Sequence, residues 1–294
     1  MKLIVSCEEP IRIDKYISMN TDYSRNLIEK MIDGSCVTVN GKVVKSSCRL
    51  KNEDVIEIDE DFKEEVYLEK ADIDLNIIYE DNDLMVINKQ SGLVVHPGSG
   101  NKNNTLVNGL LNYTSELSDE SGEARAGIVH RIDKDTSGII LVAKNNKAHE
   151  VLAAGFKAKA IKREYIALVE GIFPSQNAKI NAPIGKCKTD FRKQEVMESG
   201  KVAVTNLAVI KRFAKYTLVR LSLETGRTHQ IRVHLEYIGH PIFNDPVYNN
   251  KKSTDFGQFL HSASIDFNHP ITNELMHFDA PLPEEFESVI NSLD

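Results

Sequence analysis

Three short segments of this chain concentrate polar, reactive side chains. The first is His130-Arg131-Ile132-Asp133-Lys134-Asp135-Thr136-Ser137-Gly138, set between Gly127-Ile128-Val129 and the apolar run Ile139 to Val142. Loops at strand ends are where rigid scaffolds commonly present catalytic side chains. A carboxylate is ionised at neutral pH and can act as nucleophile or base without a separate activating group. The same residue types would also serve a turn in which Asp135 and Thr136 bond the backbone, and residue type alone leaves both readings open. The second segment is Thr225-Gly226-Arg227-Thr228-His229-Gln230-Ile231-Arg232-Val233-His234. Here Gly226 gives backbone freedom, Arg227 is expected to open a helix, and two arginines with two histidines are many donors for an inert face; a solvated face with a packed histidine is the plainer alternative. The third, Lys162-Arg163-Glu164-Tyr165, is a basic start to a strand with one aromatic hydroxyl. A tyrosine there can equally belong to the core.

Familiar machinery is missing. The sequence has no G-x-x-x-x-G-K-[ST], no G-x-G-x-x-G, no H-E-x-x-H and no G-x-S-x-G. His229 and His234 are five residues apart, about 500° around a helix, so they share no face for a metal. Cys7, Cys36, Cys48 and Cys187 form no C-x-x-C pair and fit neither a zinc site nor a disulfide framework. No metal and no cofactor is expected.

The elements that must position these segments fall into two parts. Residues 11–58 read as a compact unit. Ile13, Tyr16 and Ile17 have helical spacing, and Ser24 is a helix N-cap ahead of Leu27, Ile28 and Met31, with Gly34 as the stop. Val37 to Val44 is two β-branched runs around Asn40-Gly41, a strong hairpin signal, and Asp54 to Ile58 is a further strand. Residues 59–74 are acidic, self-repelling and read as a linker. Residues 75–294 form the second domain. Leu84 to Ile87, Gly138 to Val142, Tyr165 to Val169, Ala203 to Ile210 and Tyr216 to Leu223 are strand-like; Lys147 to Ala160 and Thr225 to Ile238 are helical. Strands and helices mix without regular βαβ alternation, which predicts an α+β fold on a mixed, mostly antiparallel sheet.

The chain has 294 residues and a net charge of −7. Nine acids and two lysines between Asp59 and Glu80 account for that whole excess, so the rest is neutral and local fields decide which partners it attracts. Basic clusters occur at Lys157, Lys159, Lys162 and Arg163 and at Lys186, Lys188, Arg192 and Lys193; such clusters are often only solvated faces. No apolar run is long enough for a membrane span, and Met1 to Pro10 lacks a signal pattern. A cytoplasmic protein, monomeric and without a membrane partner, is expected.

In their chain order the three segments resemble the RluA-type pseudouridine synthases. The family's H-R-L-D-x-x-T-S-G is His130 to Gly138, its K-x-Y-x-A-x-V-x-G is Arg163 to Gly171, and its G-R-x-H-Q-I-R-x-H is Gly226 to His234. Asn88-Lys89, Gly92-Leu93, His96-Pro97, Gly239-His240-Pro241, Asp245 to Tyr248 and Leu260-His261 also match. Gln90, Ala126 and Ile132 depart from the usual Pro, Pro and Leu. The unit 11–58 resembles the S-four-type RNA-binding domain, an αL module, through Arg12 to Lys15, Ser24-Arg25, Ile32 to Gly34, Val37 to Gly41 and Asp54 to Ile56. The resemblance implies an isomerase that flips a uridine out of structured RNA, most of all large-subunit ribosomal RNA. It places the essential carboxylate at Asp133, the arginine that orients it at Arg227, and an aromatic under the flipped uracil at Tyr165. Arg131 would fill the gap left by the base, with His130 beside it. On the N-terminal unit Arg25, Lys30, Lys42 and Lys45 could contact phosphates. A non-catalytic ribosome-assembly factor and a tRNA-modifying synthase are the alternatives.

Overall fold

The computed structural model of the protein describes residues 1–60, 62, 68–98, 101, 103–249, 251 and 253–293, without the side chains of Asn26 and Glu123. The chain divides into two compact units, Met1–Tyr67 and Leu68–Asp294.

In the first unit the helices Ile13–Asn20 and Arg25–Asp33 pack on a four-stranded antiparallel sheet in the order Lys2–Ile4, Val55–Ile58, Val37–Val39, Lys42–Val43. The expected devices appear at their places. The Ser24 hydroxyl accepts from the Leu27 N–H at 3.3 Å, satisfying one of the open donors of a helix start. Asn40 and Gly41 both have positive φ, 50° and 74°, as a two-residue hairpin turn demands. Ile13, Ile17, Ile28, Ile32, Val37 and Ile56 close the small core.

The second unit is built on a nine-stranded sheet. Its order is Asn177–Asn181, Val204–Arg212, Tyr216–Leu223, Lys162–Glu170, Leu260–Asn268, Ser137–Ala143, Leu84–Lys89, Ile77–Glu80, with Leu275–Asp279 added beside Leu260–Asn268. All its strand pairs are antiparallel except Leu260–Asn268 with Ser137–Ala143. Successive side chains of a strand face opposite ways, and both faces here are covered. Ile140, Val142, Met85 and Ile87 enter one core, whereas Ile139, Leu141, Leu84 and Val86 enter the other, under the helix Asn146–Ala158. This explains why the central strands read as unbroken apolar runs.

Two boundaries differ from the sequence expectation. Of the acidic segment 59–74, residues 61 and 63–67 lie outside the described residues. Leu68 and Ile73 pack against the larger core, and Asn108 donates from its side chain to the Glu69 carbonyl at 2.7 Å, so residues from 68 onward are part of the second unit. Apolar residues spaced through an acidic stretch found a surface to cover. The helix expected over Thr225 to Ile238 spans Gln230–Tyr237 only. Among the described residues no helix is long and apolar enough to cross a membrane.

The one parallel junction has no room for a side chain at Gly138. Its φ is +103°, and a Cβ there would lie on the Ser262 backbone. Gly92 also has a positive φ, +84°, but open space around it. We expect Gly138→Ala to abolish soluble expression or collapse the unfolding midpoint in urea, while Gly92→Ala costs only about 1–2 kcal/mol of backbone strain. Equal, mild effects of the two variants would mean that the junction can spread.

Candidate active site

The loop 130–136 precedes the central strand Ser137–Ala143 and is fastened from several sides. The Leu141 N–H donates to His130 Nε2 at 2.9 Å, and the His130 ring lies against Phe156 with centroids 4.3 Å apart. Burial, helped by the charge of Arg163, holds His130 well below the usual histidine range, so it is neutral. Lys89, 1 % exposed, donates to the carbonyls of Gln90 (2.8 Å), Leu93 (2.9 Å) and Lys134 (2.9 Å). Three carbonyls match the three N–H groups of an ammonium. Burial pushes Lys89 down to about 7, against the opposing charges of Asp135 and Asp133. The Gly92 N–H shares the Lys134 carbonyl, and Ser137 Oγ bonds His261 Nδ1 at 2.9 Å. The residue after Asp133 is thereby tied to the turn that follows the strand Leu84–Lys89.

Asp133 itself is held by Arg232. Arg232 Nη1 donates to Asp133 Oδ2 at 2.9 Å, while Nε and Nη2 form a fork on Asp245 Oδ2 (2.7 Å) and Oδ1 (2.8 Å). Burial works against the guanidinium charge, but the two carboxylates outweigh it and raise Arg232 above its ordinary value. Asp245 is driven up by burial and pulled down further by Arg232 and by the N–H groups of Tyr248 and Val247, so it stays ionised. The Tyr248 ring lies under the guanidinium at 5.0 Å. Asp133 Oδ1 has no hydrogen bond among the described residues. His229 Nε2 lies 3.9 Å from it, and burial keeps that imidazole below the usual histidine range.

The carboxylate opens into a cavity of about 510 Å³ that Tyr165, Thr136, Leu260, Arg163 and Arg227 also line. Tyr165 is 4 % exposed and stands on the strand Lys162–Glu170, where the partner strand carries one extra residue: Glu164 faces Ser264 but Tyr165 faces Ser262. Such bulges re-aim side chains next to active sites. The Tyr165 hydroxyl has no partner among the described residues.

The expected role of Arg227 is corrected. It is exposed, and its Nε donates to the Val202 carbonyl at 3.0 Å; Arg232 occupies the place beside Asp133. The reason lies in Gln230, whose side-chain oxygen accepts from Thr225 Oγ1 (2.8 Å) and the Arg227 N–H (3.0 Å). That holds 225–229 as a loop, and His229 enters the helix with a left-handed φ of 55°. Arg232 was inside the quoted motif, flanked by Ile231, Val233 and Leu235, so its burial was the available signal. Asp245, His229 and Lys89 join it as site residues missed as such. His130, expected on RNA, lines the cavity, with Nε2 accepting from the Leu141 N–H and its ring against Phe156. Arg131 is exposed, and its Nη1 donates to His96 Nε2 at 3.3 Å; His96 Nδ1 in turn donates to the Pro97 carbonyl at 3.0 Å. Arg25, Lys30, Lys42 and Lys45 are exposed on the first unit.

Among the described residues three potential metal ligands converge at Asp81, Asp83 and His269. Asp81 already accepts from the Asp83 and Leu84 N–H groups and lies 2.9 Å from His269 Nε2, a turn closed by its own hydrogen bonds.

Residues 83–237 match the family described as RNA pseudouridylate synthase, and residues 11–56 match the S4 domain. The chain is 44 % identical over 284 residues to an uncharacterized RNA pseudouridine synthase, YlyB, of Bacillus subtilis, covering 96 % of this chain and 94 % of that one. The chain belongs to the RNA pseudouridine synthases. This synthase is also 38 % identical over 298 residues to the ribosomal large subunit pseudouridine synthase D of Haemophilus ducreyi, covering 96 % and 90 % of the two chains. The solved structure of human RNA pseudouridylate synthase domain containing 1 superposes with a TM-score of 0.60 at 23 % identity, covering 76 % of this synthase and 96 % of the human chain, a likeness of fold. The enzyme is an isomerase with an RNA substrate, of α+β class with an N-terminal S4 unit.

The two arginines can be separated by experiment. Arg232→Lys keeps a cation but loses the fork that serves two carboxylates. We expect the single-turnover rate to fall by about two orders of magnitude and the unfolding midpoint to drop. Arg227→Lys should keep its single-turnover rate within about threefold. The larger rate loss in Arg227→Lys would return that residue to the carboxylate.

Proposed function

We propose that this synthase isomerises particular uridines of structured RNA, large-subunit ribosomal RNA foremost, with Asp133 as the catalytic carboxylate. The observation that carries the reading is the division of labour within Asp133: Oδ2 is held by Arg232, and Oδ1 accepts no hydrogen bond from a described residue, beside the cavity that Tyr165 shares. A fixed carboxylate with one free oxygen suits attack or proton removal on a base or sugar brought within reach. In the reaction the N1–C1′ bond breaks, the uracil rotates, C5 bonds to C1′, and the C5 proton leaves while N1 gains one. No electron acceptor or group donor is consumed.

Tyr165 supports the uracil in this reading, and Arg131 supplies the group that fills the vacated stack. Extruding a paired base costs a few kcal/mol, which a guanidinium partly offsets by stacking and phosphate contact. His96 braces Arg131 at the rim. The S4 unit adds phosphate contacts through Arg25, Lys30, Lys42 and Lys45. The ribosomal substrate is supported by the large-subunit names of relatives alike over nearly their whole length.

We expect Asp133→Asn to abolish tritium release from RNA carrying 5-tritiated uridine while RNA affinity stays within a few-fold. Pseudouridine mapping in cells lacking the gene should show lost sites in large-subunit ribosomal RNA. Retention of a tenth of the wild-type release by Asp133→Asn would remove Asp133 from the chemistry, and losses confined to tRNA would overturn the ribosomal assignment.

A further inference from the structure

The cavity carries more positive charge than the chemistry at Asp133 uses. Among the described residues Asp133 is its only acid, already answered by Arg232, yet Arg131, Lys157, Lys159, Arg163 and Arg227 also line it. Arg163 is the most telling. Its guanidinium lies over the Phe156 ring at 5.1 Å, and Phe156 is itself backed by His130. The Arg163 Nε is buried without a hydrogen-bond partner, and no carboxylate of a described residue lies within ion-pair distance of the group. The neighbouring acid, Glu164, is 3.5 Å from Arg220 instead. A cation that is packed in place and left unpaired is costly unless an anion arrives from outside.

Geometry says where that anion sits. Arg163 and Tyr165 are two apart on one strand, so they face the same side, about 7 Å from each other along it. A site that takes a nucleotide's base at Tyr165 has a phosphate of the same strand within reach of Arg163. Across the cavity the 225–229 loop comes close: a Cβ on Gly226 would be 3.5 Å from Arg163 Nη2. The next residue, Arg227, bonds among the described residues only through its Nε, on Val202, so both terminal amino groups are left to donate. Two guanidiniums lining one cavity, each with N–H groups not bonded to a described residue, suit the paired oxygens of one phosphate. Lys157 and Lys159 end the helix Asn146–Ala158, where the helix dipole alone would favour cations, so they add field rather than define the site.

We propose that Arg163 and Arg227 form a subsite for the RNA phosphodiester adjacent to the flipped uridine. This rests on the reading of Asp133 and Tyr165 as the reacting end of the cavity. It assigns to Arg227 a task on the strand in place of the carboxylate, and to the basic start of the strand Lys162–Glu170 a reason for its charge. Substrate is gripped through its own backbone, at a fixed spacing from the base that reacts.

The test combines protein variants with RNA in which one phosphate at a time, from two nucleotides before the target to two after, is a neutral methylphosphonate. Binding and single-turnover tritium release are read separately. We expect one methylphosphonate position to weaken binding to wild type about tenfold, and Arg163→Gln to weaken binding of unmodified RNA by a similar factor, with the rate at saturating RNA within about threefold. Combined, the two changes should cost little more than either alone, because they remove the same contact. Arg163→Lys should recover most of the affinity, and Arg227→Ala should be non-additive with the same position. Multiplying effects, or no sensitive phosphate, would overturn the proposal. So would a loss in rate rather than binding, which would make Arg163 a support for Tyr165. Inorganic phosphate competing with RNA while every methylphosphonate is tolerated would show a free-anion site instead. Because binding is scored independently, absence of tritium release from wild type would count against the catalytic reading and leave the phosphate result standing.

Discussion

A single buried guanidinium organises the candidate active site. Arg232 is shut off from solvent, where an unpaired charge would cost several kcal/mol, and it is stable there because two carboxylates and an aromatic ring surround it. The two carboxylates are not equivalent. Asp245 has a side chain with no exposure and also accepts two backbone N–H groups, so it is the anchor. Asp133, with a side chain 20 % exposed, takes the remaining donor and keeps one oxygen toward the cavity. The fork is rigid once Asp245 has it, and that rigidity is passed to Asp133.

The backbone around Asp133 is held as firmly as its side chain. Lys89 and the Gly92 N–H clasp the Lys134 carbonyl, and the close approach of Gly138 to Ser262 locks the start of the following strand. These contacts join the strand Ser137–Ala143 to Leu84–Lys89 on one side and to Leu260–Asn268 on the other. The carboxylate therefore stands where the sheet changes from antiparallel to parallel pairing, and neither neighbour can shift without moving it. Several of the buried polar groups here find partners distant in the chain, Lys89 on the Lys134 carbonyl and Ser137 on His261 among them, which favours one arrangement over near alternatives.

Charge is distributed with the same economy. The protein as a whole is acidic, yet among the described residues the cavity has one acid among many cations. Local fields, not net charge, decide what a polyanion meets.

Sequence alone determined the class of fold and the S4 unit and singled out Asp133 and Tyr165 as candidates, because each is written in a contiguous stretch: capping residues, an Asn-Gly hairpin, period-two strands and a nine-residue loop motif. Tertiary structure decided which arginine meets Asp133. Arg227 and Arg232 share one motif, and the choice depends on where the helix begins, which Gln230 settles by bonding back to Thr225 and Arg227 from inside the fold. His130 was as polar as its neighbours on paper, but its ring is fixed by the Leu141 N–H on Nε2 and by Phe156, which come from elements beyond the loop. The acidic segment looked like a spacer by composition, and Leu68 and Ile73 became part of the core only because a surface was there to receive them. Local signals are carried by neighbours in the chain; pairings of buried charge depend on residues brought together from a hundred positions away, as Asp133 and Arg232 are, and those exist only once the sheet has formed.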